Sequence, residues 1–402
     1  MKSFGENDVE WRDHNDRPIP DVAPRTRWGR VANLLEGRRS PIEGSDILAR
    51  IAKGMTPHCP RGCVLPKQML DRPTRVIGLV GETGSSKTSV LISMIKGADD
   101  NRELARKGID FNLSPLSYQA WSVARDRQFK ERRPVPGTVP RMTHDDVAEP
   151  VHHWSNLIAR EPLVVEARTD HGAVNYLFVD LAGEDALTEQ NAASVSPHLA
   201  LADFLWFFIT PNLSSDLVAE IESRGPEDVV LNLQDFGEHN QDIERTKIMV
   251  REISNMWKRF RGMHPDKTPG RPRIGVTVIL TKADLLSHIA PEHPAAPYVA
   301  RVAPPADWTD GSTREADLLD PELIRARSVE TSSLFFELLP QLHNAISSCF
   351  NDAMYLPAAA VGHVSQLGSE QGRYYADVKP YGVVDLFVSL LADTPELRGG
   401  RR

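Results

Sequence analysis

The chain has only three cysteines in 402 residues, too few for a disulfide framework, which points to a reducing compartment. It also lacks a dominant charge. Lys and Arg number 47 against 55 Asp and Glu, a net charge of -8, so there is no broad basic field for nucleic acid and bulk electrostatics names no partner. Long apolar runs are missing as well. The strongest, FLWFFI at 204–209, falls far short of the roughly 20 residues that a membrane-spanning helix needs. The opening stretch MKSFGENDVEWRDHNDRP is charged and has no apolar centre of the kind a signal peptide carries. No internal repeat or heptad array is visible. A soluble, cytoplasmic protein is the expectation.

What is present changes along the chain. Residues 1–55 are polar, rich in Arg and Pro, and read as a largely irregular arm. Its one helix candidate is SDILARIAKG, with Ser45 as cap and Ile47, Leu48 and Ile51 on one face. Residues 56–72 form a Cys-containing linker. From 73 to 396 short apolar runs alternate with longer amphipathic segments: TRVIGLVG, PLVVEARTD, NYLFVDLAG, DFLWFFITP, RIGVTVILTKAD and LPAAAVGHVS. Buried parallel strands read as continuous apolar runs, so this alternation predicts an α/β domain built on a mainly parallel sheet. Helices are expected over DIERTKIMVREISNMWKRFRGM, with Met249, Ile253, Met256 and Phe260 on one stripe, and over VVDLFVSLLAD. Surface insertions are expected near 101–150, most polar at 129–150, and near 288–322, with a tail at 397–402.

The stretch GLVGETGSSKTSVL joins an apolar run to the start of a helix. A phosphate-binding loop needs backbone N–H groups wrapped around the anion and a helix N-terminus aimed at it. Gly81 and Gly84 supply the unusual backbone angles and the close approach. The loop Glu82, Thr83, Gly84, Ser85, Ser86 and Ser89 would line the phosphates. Lys87 would reach the β- and γ-phosphates, and the Thr88 hydroxyl would ligate Mg²⁺. Ser86 stands where the usual pattern, G-x-x-x-x-G-K-[ST], has its last glycine.

Three further elements follow in order. After YLFV comes DLAGED, where Asp180 at a strand end would hold Mg²⁺ through water and the Gly183 amide would meet the γ-phosphate. After VTVIL comes TKAD. Asp284 there would accept hydrogen bonds from N1 and N2 of guanine, a donor pair adenine lacks, while the stem of Lys282 lies along the base. Last, AVGHVSQLG gives an apolar strand followed by Ser365 and Gln366, where a backbone amide would meet guanine O6 or which forms a plain strand-end turn.

Together GETGSSKT, DLAGE, TKAD and VSQLG resemble the P-loop GTPase superfamily of the translation-factor and Ras-like class, over about residues 74–395. A narrower resemblance is to the bacterial double-GTPase domains of multi-protein signalling or defence systems, through HCPRGCVLP, the D-x-A-G-E form and KPYGVVDLFVSLL. The resemblance implies a three-layer sandwich: a sheet of about six strands, the second antiparallel, with helices on both faces and nucleotide at the strands' carboxyl edge. It implies GTP and GDP as ligands with one Mg²⁺, and protein partners engaged by switch loops. Thr281 replaces the usual Asn before the lysine. Glu184 stands where many relatives carry a water-positioning Gln, which implies slow or partner-stimulated hydrolysis, since a carboxylate is repelled by the γ-phosphate. The switch threonine that caps Mg²⁺ is Thr138 in VPGT or Thr143 in RMTHDD, with Thr138 favoured.

Other constellations carry less. Cys59 and Cys63 make half of a zinc site, with His58 and His14 as further ligands, but no second cysteine pair exists and a vestigial zinc ribbon is the preferred reading. The adjacent histidines of VHHW point to opposite faces of a strand. Cys349 reads as core, and the arginines of RDRQFKERR as a solvated face rather than an arginine finger. Two rivals stay open beside a GTP switch: a non-hydrolysing nucleotide-held module, and an ATPase in which TKAD is incidental.

Overall fold

The computed structural model describes residues 10–12, 56–58, 72–82, 84–135, 163–180, 202–224, 229–230, 243–262, 274–304, 320–362, 366–368, 372–375, 377–394 and 397. Its centre is a mixed seven-stranded sheet. In chain order the strands are β3 (Thr74–Val80), β4 (Asp110–Leu113), β5 (Leu163–Thr169), β6 (Gly172–Asp180), β7 (Phe204–Ile209), β8 (Gly275–Leu280) and β9 (Met354–Pro357). Across the sheet they lie in the order β4-β5-β6-β3-β7-β8-β9. Strands β6, β3, β7, β8 and β9 run parallel, while β5 pairs antiparallel with both β4 and β6.

The apolar runs form strands because both faces are covered. In β7 every residue is buried. Leu205, Phe207 and Ile209 pack into one helical layer, and Phe204, Trp206 and Phe208 into the other, as the two-residue period of a strand requires. The first layer holds α4 (Ser215–Arg224), α5 (Ile243–Gly262) and α8 (Pro340–Cys349). The second holds α1 (Lys87–Asp100), α3 (Pro115–Arg125) and α9 (Val383–Asp393). Met249, Ile253 and Met256 of α5 are buried in the first layer, as their spacing predicts, and Cys349 lies there too.

Further helices among the described residues are α2 (Arg102–Arg106), α6 (Ala296–Val302) and α7 (Pro321–Leu338). Helix α7 covers the free edge of β9, where the Ser328 hydroxyl accepts the Tyr355 N–H at 2.9 Å. Its Arg327 pairs with the buried Asp385 of α9. Burial pushes the Asp385 carboxyl up, and the Arg327 guanidinium opposes that shift.

Two expectations about the sheet need revision. The sheet has seven strands rather than about six, because the segment read as an insertion near 101–150 contributes α2, β4 and α3, with β4 added at the sheet edge. The antiparallel strand is therefore β5, the third of the sheet and not the second. In the arm, β1 (Glu10–Arg12) pairs antiparallel with β2 (Thr56–His58) across the boundary placed at residue 55. The segment near 288–322 contains α6 and the start of α7. The helix expected at SDILARIAKG lies outside the described residues.

Candidate functional site

Strand β3 ends at Val80, and the chain turns at once against β7. A Cβ on Gly81 would sit 2.7 Å from the Phe208 carbonyl oxygen and 2.8 Å from Ser85 Oγ, so the approach requires glycine. Gly84 and Ser86 both take left-handed backbone angles, with φ of 79° and 64°. The glycine is at ease there; Ser86 carries a Cβ into a region that costs an L-residue roughly 1–2 kcal/mol. Ser86→Gly is therefore expected to stabilise the fold by about 0.5–1 kcal/mol, after allowance for the extra freedom of glycine in the unfolded chain. Urea unfolding reads this; an unchanged or lower midpoint would show that the serine hydroxyl offsets the strain.

Inside the turn the Ser85 N–H donates to the Glu82 carbonyl at 3.1 Å. The buried Lys87 ammonium folds back over the loop, donating to the Gly81 carbonyl at 2.6 Å and the Glu82 carbonyl at 3.3 Å. Ser85 Oγ is buried and has no hydrogen-bond partner among the described residues. Helix α1 starts at Lys87, with no side-chain cap on its N-terminus and no acidic residue in its first turn. Such an end attracts anions. Thr88 is buried at the second helical position and Ser89, next, is half-buried. Glu82 Oε1 accepts a hydrogen bond from Thr246 of α5 at 2.8 Å, a tie between the loop and a distant helix that sequence spacing does not announce.

Two strands away lies TKAD. Thr281 is fully buried, and both its N–H and its Oγ1 donate to the Ile209 carbonyl, at 2.8 and 3.2 Å. The threonine thus anchors the start of TKAD to the end of β7. Lys282 takes left-handed angles, φ 51° and ψ 40°, and Asp284 is half-buried in the short 3₁₀ turn Ala283–His288. Desolvation pushes the Lys282 ammonium down to about 8, against the pull of the Asp284 carboxylate. The folded state thus releases this proton before the unfolded chain does, and stability rises with pH between about 8 and 10.5. Lys282→Met is expected to remove that slope, measured as the difference between the two proteins' unfolding free energies across the window.

The loop after β9 completes the set. The Ala358 N–H donates to the Leu280 carbonyl at 2.9 Å, and the Ala283 N–H to the Ala358 carbonyl at 3.2 Å. Among the described residues, the backbone beside TKAD is therefore that of Ala358–Ala360. Gln366 lies in β10 (Gln366–Gly368), which pairs antiparallel with β11 (Gly372–Tyr374). Of the apolar run only Met354–Pro357 is strand; the small residues that follow form a loop that turns at Gly362, φ 70°.

The other expected residues divide. Asp180 is the last residue of β6 and stands beside Leu79 in the parallel ladder, two residues before Gly81 in register. Thr83, Thr138, Thr143, Gly183, Glu184, Ser365, His14, Cys59 and Cys63 lie outside the described residues. The arginine stretch satisfies itself locally: Arg125 and Lys130 pair with Asp126, and Arg127 donates to the Pro134 carbonyl at 2.8 Å.

The ends of β6, β3, β8 and β9 thus meet on one carboxyl edge. The chain leaves β3, fills the sheet toward β4, then crosses back to β7 on the other side. Open α/β sheets bind ligands outside such a reversal. Only β7 separates β3 from β8, so the two loops emerge about 10 Å apart at ordinary strand spacing.

No family model matches the chain, and no curated protein sequence matches it. Among solved structures, the chain is similar to the GTPase-like domain of S. cerevisiae Ski7, bound to GTP, at 12% identity and a TM-score of 0.30, over 80% of this chain and 51% of that one. It spans about half the length of that relative.

Proposed function

We propose that the chain binds guanosine triphosphate with Mg²⁺ and acts as a slowly hydrolysing molecular switch. One observation carries the reading. The strand-end carbonyls of β7 hold both loops together: Gly81 is pressed against Phe208, and Thr281 is bonded to Ile209. That packing sets the turn at 81–86 and Asp284 on one edge about two strand spacings apart, which supports reading them as a phosphate loop and a purine-reading carboxylate.

The residues present fit that ligand. The turn from Glu82 to Ser86 and the uncapped start of α1 receive the phosphates, with the orphaned Ser85 hydroxyl available as a donor. Lys87 already lies over the loop and bonds the outer phosphates from there. Thr88 and Asp180 are the metal's protein partners; bound Mg²⁺ would neutralise the charge that develops between the outer phosphates. Lys282 supports the base plane, and Asp284 accepts from N1 and N2 of guanine. From the sequence, Thr138 would cap the Mg²⁺, the Gly183 amide would meet the γ-phosphate, and Glu184 in the water-positioning place would keep hydrolysis slow until a partner acts. The loops around 129–150 and 181–200 would then present a surface to protein partners according to the γ-phosphate, within a bacterial signalling or defence assembly.

Single-turnover assays with γ-labelled GTP and ATP test this. Slow phosphate release from GTP, little from ATP, and none from either with Lys87→Ala is the expected pattern. Equal consumption of ATP would make the chain an ATPase, and release that survives Lys87→Ala would remove the loop from the reaction. Tight GTP binding without release would leave a non-hydrolysing module.

A further inference from the structure

A buried polar chain runs from the end of α3 to the loop beside TKAD. Gln128 is fully buried in a π-helical turn, Asp126–Lys130, that continues α3. Its Nε2 donates to Ser93 Oγ at 2.6 Å and to the Ser89 carbonyl at 3.4 Å. Ser93, fully buried on α1, donates its only hydroxyl proton to the Ala360 carbonyl at 2.6 Å. That leaves Ser93 Oγ as an acceptor toward Gln128, so the donor order is fixed from glutamine to serine to the peptide of Ala360. Gln128 Oε1 is buried and has no partner among the described residues. A glutamine held in an apolar layer with one polar atom unsatisfied costs stability, and π-turns inside helices recur at functional sites.

The receiving end of the chain explains its placement. Ala360 belongs to the loop whose Ala358 is stitched on both sides to the TKAD turn. The serine stands six residues after Lys87 on the helix that meets the phosphates, so one hydrogen-bonded path ties the phosphate helix to the wall beside Asp284. Resting on the guanine-nucleotide reading above, we infer that Ser93 and Gln128 are positioning residues that set selectivity for the 6-oxopurine edge by fixing the Ala358–Ala360 backbone. Neither touches the nucleotide; they act through the Ala360 peptide.

Calorimetry with the full chain tests this, using GTP, ATP and inorganic tripolyphosphate on wild type, Gln128→Leu, Ser93→Ala, their double variant and Ser93→Thr, with melting curves for each. Ser93→Ala is expected to weaken GTP about fivefold, the scale of one buried neutral hydrogen bond, while tripolyphosphate binding stays unchanged. Gln128→Leu weakens GTP by less or the same. Because the two groups act in series, the double variant loses no more than Ser93→Ala alone. Ser93→Thr, which keeps the hydroxyl, retains the preference for GTP over ATP. Equal weakening of all three ligands, or lowered melting with the preference intact, overturns the inference and leaves these residues a purely structural role. A wild-type chain without any preference for GTP over ATP would instead bring down the guanine reading, and this inference with it.

Discussion

Lys87→Ala is expected to lower the affinity for GTP by about a hundredfold or more. A hydrogen bond between an ammonium and a charged oxygen contributes about 1.5–3 kcal/mol, and Lys87 would make two to the outer phosphates. Against that stand the two carbonyl bonds it already makes to Gly81 and Glu82, at 2.6 and 3.3 Å, which it shares with or surrenders to the ligand. A net loss of roughly 3 kcal/mol corresponds to about two orders of magnitude in Kd. The substitution also strips the turn of the donor that ties its first two carbonyls together. Lys87→Arg is not expected to rescue, because a planar fork does not replace a compact point charge in a buried turn. Calorimetric titration reads both; a loss under threefold would place the phosphates elsewhere.

The second large effect is a change of base. Asp284→Asn replaces a carboxylate that accepts twice with an amide that accepts once and donates once. Guanine presents two donors on that edge, whereas xanthine presents one donor and one acceptor. GTP affinity is therefore expected to fall by about a hundredfold, from the loss of one charge-assisted bond and the juxtaposition of two donors. Xanthosine triphosphate should gain by a similar factor. Competition between the two triphosphates on the same variant measures the exchange. An unchanged order of preference would mean that Asp284 does not face the base.

Much of this was legible in residue order, because the informative signals were local. Continuous apolar runs bounded by glycine and charge gave β3, β6, β7 and β8, and a 3.6-residue stripe gave α5. The turn after β3 was visible because its close approach and left-handed angles need Gly81 and Gly84, with Lys87 following within eight residues. What escaped was long-range. Strand β4 is four residues of alternating exposure, DFNL, with no apolar run to mark it, and it exists only by pairing with β5. The Glu82–Thr246 tie spans 164 residues and the Ser93–Ala360 bond 267; no spacing rule links such positions. Strand β9 shows the complementary failure. It ends at Pro357, earlier than the apolar composition suggests, and the residues that follow are an alanine run with no side-chain signature.

The most direct test of the central claim is calorimetric titration of the wild-type chain with GTP, GDP and ATP in the presence and absence of Mg²⁺. If the turn at 81–88 and the carboxylate at 284 address one molecule, GTP binds with one-to-one stoichiometry, more tightly with Mg²⁺, and at least a hundredfold more tightly than ATP. Equal affinities for GTP and ATP, or no heat from either, would contradict the account.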